Sequence, residues 1–325
     1  MNIVIINNGY RSMIDRTRLD FFRKLARFPM INIHSYGPGE HAIDPEAAPL
    51  NCEETTPISE VINFFKPDLF LMFLYDASKI KYESVNLNKK TIGVPFVVVE
   101  EDHYREDRED GKKVRDWYKK VNFDIILRRH CYPEDQRVDN SIWFPFSANE
   151  EEFMENDQIE RKNVIGFAGS SSDHIDYRVR QQALNILSIN KLLDSNYGKF
   201  SGKDYIEYIQ SHIANMACSG SSIHTPLAKH FEIPLCGTAV ISNQIDHQDL
   251  LFDNKECYFE YKDDCSDVIE VVKEVLNNHD RVKEIVKNAQ EQIILKHTDE
   301  RRLIELINIF NAFIEGKELP RIWGQ

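Results

Sequence analysis

A lysine and a glutamate stand three residues apart in the segment SGSSIHTPLAKHFEIPLCG, at Lys229 and Glu232. On a helix, residues at this spacing share a face and can form an ion pair. One interpretation is therefore a solvated salt bridge at the protein surface. In the other interpretation, the carboxylate accepts two hydrogen bonds from a ribose diol while the lysine faces a phosphate group. The local pattern leaves both interpretations open.

The helix that would carry these two residues has clear predicted ends. Thr225 suits the N-cap and Pro226 the first helical position, whereas Pro234 and Gly237 oppose continuation beyond about Ile233. Because a loop of glycine and serine precedes this helix, its first turn would present free backbone N–H groups. A helix start of this kind is predicted to bind an anion.

A second candidate phosphate site lies in VIGFAGSSSDHIDYRVR. A predicted strand runs into Gly169, Ser170 and Ser171, and the helix that follows carries Arg178 and Arg180. Small residues let a ligand approach the backbone, and arginine binds phosphate through two parallel hydrogen bonds. The alternative is an ordinary β–α turn with arginines at the surface.

Two loops of the first half could contact an acceptor molecule. PFVVVEEDH ends in Asp102 and His103, and either side chain can act as a general base. NNGYRSMID offers Tyr10, Arg11 and Asp15 as acceptor-binding residues. The alternatives are a solvated charged loop for the first segment and a plain β–α turn for the second.

The elements that must position these residues alternate between strands and helices. Continuous apolar strands separated by helices predict α/β domains with parallel sheets covered on both faces. An aromatic and proline segment that runs into acidic residues at 143–163 marks a boundary. We predict two Rossmann-like domains, residues 1–145 and residues 146–325, the second with a helical tail. Their sheets would face a central cleft.

Composition excludes several classes of function. A net charge of −13 argues against a nucleic acid partner, and neither half has the G-x-G-x-x-G signature of a dehydrogenase. The chain has no D-x-D triplet and no clustered metal ligands, so no metal or other cofactor is expected. Without a signal peptide or a long apolar run, and with six scattered cysteines, it is predicted to be cytoplasmic.

Three segments in order, WFPFSANEEEF, VIGFAGSS and KHFEIPLCGTAVISN, resemble the GT-B glycosyltransferases of group 1, and in style the CgeB-like group. The resemblance covers about residues 140–310. It implies that a nucleotide-sugar binds between two Rossmann-like domains, with Glu232 on the ribose. Many retaining members have a glutamate eight residues earlier, where this chain has His224 followed by Thr225. His224 could still contact a donor hydroxyl or phosphate, so both retention and inversion stay open.

The resemblance implies a hexosyl- or related transferase that moves a sugar from a nucleotide-sugar to a glycan, lipid-linked or protein acceptor. A non-catalytic binding subunit of the same fold is one alternative, and a nucleotide-sugar epimerase of similar architecture is another. Donor-binding residues are then Gly169, Ser170, Ser171, Arg178, His224, Thr225, Lys229 and Glu232. Peripheral association with a membrane and the oligomeric state both stay open.

Overall fold

A computed structural model describes residues 1–6, 15–37, 51–52, 56–74, 92–101, 109–131, 140–156, 158–171, 177–219 and 224–323. The chain divides into two compact units. The first consists of Met1–Pro145 and Leu303–Gln325, and the second of Phe146–Arg302. The predicted positions Tyr10, Arg11, Asp102 and His103 lie outside the described residues, and the side chain of Asp15 is not described.

The described strands are β1 (Asn2–Ile6), β2 (Asn32–Tyr36), β3 (Asn51–Cys52), β4 (Leu69–Leu74), β5 (Phe96–Glu100), β6 (Ile125–Arg128), β7 (Ser141–Trp143), β8 (Lys162–Gly166), β9 (His212–Met216), β10 (Ala239–Asn243) and β11 (Phe259–Tyr261). The described helices are α1 (Asp15–Ala26), α2 (Ile58–Phe65), α3 (Glu109–Val121), α4 (Arg178–Ile189), α5 (Gly202–Gln210), α6 (Lys229–Leu235), α7 (Gln248–Phe252), α8 (Val268–Asn277), α9 (His279–Lys296) and α10 (Asp299–Ile314).

Within these ranges the first unit contains a seven-stranded parallel sheet in the order β3-β2-β1-β4-β5-β6-β7. Successive side chains of a strand point to opposite faces, and the core follows that period. Ile3 and Leu69 belong to one apolar cluster, whereas Val4 and Phe70 belong to another. Both faces of the sheet are therefore covered, which is why its strands read as continuous apolar runs.

The second unit contains a four-stranded parallel sheet, in the order β11-β10-β9-β8, among the described residues. Its core joins Ile165, Ala214 and Ile241 from three strands to Leu184 of α4 and Val272 of α8. Two parallel sheets with helices between their strands confirm the predicted α/β class. No helix in the described part of the chain combines the length and the apolar composition needed to span a membrane.

The C-terminal segment differs from the prediction, which placed the whole helical tail in the second domain. Residues 303–325 belong to the first unit. These residues belong to the first unit because the apolar face of α10 packs into its core. The buried cluster that contains Ile3 also contains Leu303, Leu306, Ile309 and Phe310. This spacing repeats with the helical period, so one face of α10 completes the first core.

Candidate functional site

The carboxyl ends of β8 and β9 are joined by one buried arginine. The guanidinium of Arg180, on α4, donates from Nη1 to the carbonyl of Ser170 at 3.2 Å. It also donates from Nη2 to the carbonyl of Cys218 at 3.3 Å. Ser170 follows β8 and Cys218 follows β9. The positive charge of Arg180 thus lies at the carboxyl ends of these strands, where ligands bind in open parallel sheets.

The charge of Arg180 is not neutralised by an ion pair with any described residue. Its guanidinium carbon lies 4.1 Å from the ring centroid of Tyr177, and its Nε lacks a hydrogen-bond partner in the described part of the chain. The residue is only 9% exposed. Buried cations are normally paired, so this arrangement favours an anionic ligand.

Lys229, on α6, brings a second cation to the turn after β8. A side chain at Gly169 would meet the Phe167 ring at 2.9 Å and Cε of Lys229 at 3.6 Å. Burial and the charge of Arg180 lower the pKa of Lys229, whereas Glu232 acts in the opposite direction. An anion placed beside the two cations would relieve their repulsion and raise that pKa.

Glu232 is 8% exposed and its carboxylate is held by a tyrosine. The hydroxyl of Tyr205, on α5, donates to Oε2 of Glu232 at 2.6 Å. Tyr205 packs against Phe153 with ring centroids 6.1 Å apart, and its ring centroid lies 6.0 Å from Nζ of Lys229. A buried glutamate bound in this way is not the solvated ion pair of the first interpretation.

Burial raises the pKa of Glu232 above its ordinary value. The hydrogen bond from Tyr205 and the charge of Lys229 oppose that rise, whereas the carboxyl groups of Asp299 and Glu152 add to it. The negative charges of Asp299 and Glu152 disfavour the ionised form of Glu232. The ionised form of Glu232 therefore depends on the donors that surround it.

Helix α6 begins at Lys229, so the predicted start at Pro226 with Thr225 as N-cap is wrong. The N–H of Leu227 donates instead to Nδ1 of His230 at 3.0 Å. The backbone N–H of Leu227 therefore has a hydrogen-bond partner although the helix does not extend back to this residue. Burial lowers the pKa of His230 to about 4, so the ring is neutral at pH 7. Its Nε2 then carries the proton, 3.0 Å from the Ser242 hydroxyl.

The end of α6 is fixed by groups outside the helix. Gly237 has a φ of +73°, the left-handed conformation that commonly ends a helix. Arg161 donates to the carbonyls of Gly237 and Cys236, and Gln290 donates to that of Pro234 at 3.0 Å. The helix continues two residues past Ile233, through Pro234 to Leu235, because these side chains satisfy its last carbonyl groups.

Residues 179–308 match a family described as glycosyl transferase-like. A glycosyltransferase from Rickettsia africae has the same fold, with 13% identity, 98% of this chain and 99% of that chain covered, and a TM-score of 0.65. HepE of Anabaena, in complex with UDP and glucose, has 10% identity, 96% and 100% coverage, and a TM-score of 0.68.

The chain has the GT-B fold. A putative UDP-N-acetylglucosamine 2-epimerase from Listeria monocytogenes is also similar in structure, with 12% identity, 98% of each chain covered and a TM-score of 0.56. No curated protein sequence matches the chain.

The second unit brings several of the predicted donor residues to one region, and the arginine buried there is Arg180 rather than Arg178. Gly169 and Ser170 adjoin Arg180 and Lys229. Arg178, the arginine chosen from the sequence, is exposed, whereas Arg180 lies on the buried face of α4. Two residues along a helix differ in direction by about 200°, so only one of the pair can face the turn. Ser171 is exposed.

His224 and Thr225 follow β9 in the chain, before α6. Nε2 of His224 lies 2.7 Å from Oδ2 of Asp263, which follows β11. The other oxygen of Asp263 accepts from Asn243 at the end of β10, at 2.8 Å. His224 thus lies at the carboxyl edge of the same sheet, and Thr225 is buried.

The first unit has its own charged cluster where β5 and β6 end. Glu100 accepts a hydrogen bond from Tyr118 at 2.5 Å and lies 3.5 Å from Nε of Arg128. The adjacent Glu101 pairs with Arg129 at 3.1 Å. The predicted base residues Asp102 and His103 directly follow this pair in sequence but lie outside the described residues.

Sequence reasoning missed Tyr205 and did not select Arg180 for the ligand. Helical periodicity would have indicated Arg180, because it shares a face with Ala183, Leu184 and Leu187, which are all buried. The sequence indicates Tyr205 less clearly. It precedes the buried Tyr208 by three residues and the buried Ile209 by four, which is the spacing of one helix face.

Proposed function

We propose that this protein transfers a sugar from a nucleotide-sugar to a glycan, lipid-linked or protein acceptor. The observation that carries the proposal is the buried Glu232 carboxylate, held by Tyr205 beside the cations of Lys229 and Arg180. A carboxylate suits the adjacent hydroxyls of a ribose, and paired cations suit a diphosphate. The similarity to HepE, which binds UDP and glucose, supports the same ligand class.

In this proposal each group of the donor has a place in the second unit. The ribose hydroxyls donate to Glu232, and the diphosphate lies against Gly169 and Ser170, where Arg180 and Lys229 neutralise it. His224 contacts a donor hydroxyl or a phosphate oxygen. Negative charge grows on the diphosphate as the bond to the sugar breaks. Fixed cations at that position lower the barrier because they stabilise the leaving group.

The acceptor is assigned to the first unit. Tyr10, Arg11 and Asp15 would bind it, and Asp102 or His103 would remove the proton from its hydroxyl. We expect His103→Ala or Asp102→Asn to lower turnover by about 10²–10⁴-fold if that residue is the base. Binding of the nucleotide should persist in both variants. Near wild-type turnover in both would remove this loop from the mechanism.

Glu232→Gln is the main test, because it keeps the size of the side chain and removes its charge. Loss of a charge-assisted hydrogen bond is worth about 1.5–3 kcal/mol, so the affinity for UDP, measured by calorimetry, should fall roughly tenfold to a hundredfold. The matched control is Glu260→Gln, since Glu260 also accepts from a tyrosine, Tyr258, at 2.9 Å. Unchanged affinity in Glu232→Gln would contradict the proposal.

We also propose that transfer needs no metal ion, because Arg180 and Lys229 neutralise the diphosphate. Turnover should then survive EDTA. Loss of turnover in EDTA that Mn²⁺ restores would overturn this part.

The similarity to a putative epimerase supports epimerisation of a nucleotide-sugar as an alternative function. Product analysis separates epimerisation from sugar transfer. A transferase releases free nucleotide faster when an acceptor is present. An epimerase converts the nucleotide-sugar without an acceptor, and a binding subunit shows a thermal shift with nucleotide-sugars but no product.

A further inference from the structure

The two oxygens of the Glu232 carboxylate have different surroundings. Oε2 accepts the hydrogen bond from Tyr205 at 2.6 Å, shorter than is usual for a neutral O–H donor. For Oε1 no hydrogen bond is formed with any residue that the structure describes. One oxygen is therefore held by the protein while the other stays available to a ligand.

The hydroxyl of Tyr205 remains protonated and can act only as a hydrogen-bond donor toward Glu232. Burial, together with the charge of Glu232, raises the pKa of its hydroxyl well above the ordinary value, so the group keeps its proton at neutral pH. Its ring meets Phe153 edge-on, with an interplanar angle of 86°. The hydroxyl therefore has a fixed direction and points at the carboxylate.

We infer that Tyr205 is the positioning residue for nucleotide recognition, holding Glu232 ionised and correctly oriented toward the ribose of a nucleoside diphosphate. This inference rests on the proposed function. It assigns to Tyr205 no contact with the ligand. Its effect passes through Oε2 of Glu232, which leaves Oε1 to accept from the ribose.

The charged groups around Glu232 give the inference a pH dependence. Lys229 on the same helix favours ionisation, whereas Asp299 at the start of α10, Glu152 in the segment before β8, and burial oppose it. Tyr205 adds the hydrogen bond that favours the ionised form. Without that bond the pKa of Glu232 rises further. The carboxylate then becomes protonated, and the nucleotide site is lost, at a higher pH than in the wild type.

Tyr205→Phe tests this inference because it removes only the hydroxyl and keeps the ring against Phe153. UDP, GDP, ADP and CDP are titrated into the full-length protein by calorimetry between pH 5 and pH 8. We expect the affinity for the nucleotide that binds to fall roughly tenfold at pH 7. The pH at which half the affinity is lost should be higher than in the wild type, because the hydrogen bond that favours the ionised carboxylate is missing.

A double-variant comparison separates positioning from general structural damage. In the Glu232→Gln background the hydroxyl has no charge to stabilise, so Tyr205→Phe should change the affinity by less than about twofold. The matched control is Tyr258→Phe, which removes another tyrosine–glutamate hydrogen bond, at 2.9 Å to Glu260, and should leave nucleotide affinity unchanged.

Three results would overturn the inference. The first is a Tyr205→Phe variant with wild-type affinity throughout the pH range. The second is an equal loss in the wild-type and Glu232→Gln backgrounds. The third is an equal loss in Tyr258→Phe. Two other results would overturn the proposed function itself: failure of all four nucleotides to bind the wild type, and wild-type affinity in Glu232→Gln.

Discussion

Arg178 and Arg180 lie two residues apart on α4, but only Arg180 is buried. It donates to two carbonyl groups, from the ends of two neighbouring strands, and this leaves its positive charge without a carboxylate partner in the described chain. A carbonyl satisfies a donor but does not neutralise a cation. The charge therefore remains available to an anionic ligand, which in our proposal is the diphosphate of the donor.

We expect Arg180→Ala to weaken UDP binding roughly tenfold to a hundredfold, because one charge-assisted contact with the diphosphate is lost. Affinity for uridine, which has no diphosphate, should change little. The control is Arg178→Ala, an exposed arginine of the same helix, which should bind UDP like the wild type. Calorimetry measures the affinities, and thermal unfolding shows that each variant is folded. Equal losses in the two variants would contradict the assignment.

At the scale of the element, α6 is a short helix with most of its side chains buried. It carries Lys229 at its first position and Glu232 one turn later, so a shift of its ends would displace both. The His230 ring fixes the beginning through Leu227, and Arg161 fixes the end through the carbonyl of Gly237. The positions of Lys229 and Glu232 thus depend on His230 and Arg161, which hold the two ends of the helix.

Gly237→Ala should destabilise the second unit by about 1–3 kcal/mol. The φ of +73° strains any side chain, and the added Cβ would overlap Glu155 and lie 2.6 Å from Nη2 of Arg161. Two alanine variants are controls. Gly316 has a φ of +66° but open space, so only the backbone strain of about 1 kcal/mol should appear, and Gly198 has neither constraint. Thermal unfolding compares the three, and an equal effect at Gly237 and Gly198 would contradict this account.

At the scale of the whole molecule, the chain returns to its first unit after the second is complete. Residues 303–325 belong with residues 1–145, and α10 contains the point where the two units divide. Arg302, the last residue of the second unit, is fully buried and contacts Nδ1 of His297 at 3.1 Å. The next residue, Leu303, is already part of the first core.

Leu306→Ala should therefore destabilise the first unit, by about 2–5 kcal/mol, because it leaves a cavity in a buried cluster. Hydrogen exchange measured by mass spectrometry should become faster in β1 and β4 and remain unchanged in β8 and β9. Val272→Ala, in the core of the second unit, is the control and should have the opposite pattern. Faster exchange of β8 and β9 in Leu306→Ala would show that the helix stabilises the second unit instead.

The sequence by itself determined the alternation of strands and helices, the segment that separates the two halves, and the place of Lys229 and Glu232 on one helix. These are local properties, because apolar runs, helical spacing and stop residues each act over a few neighbouring positions. The strand β9 escaped prediction because HIANM contains a histidine and an asparagine. Both are buried, and Asn215 donates to the carbonyl of Ile209 at 3.0 Å, a partner that only the folded chain provides.

Only the tertiary structure decided which groups meet. Tyr205 and Glu232 are 27 residues apart in sequence and Arg180 and Cys218 are 38 apart, yet each pair is joined by a hydrogen bond. Contacts over such separations depend on how helices pack against a sheet, and no local pattern encodes them. The same reason explains the tail, since the apolar face of α10 matches either core in composition and only packing assigns it to the first.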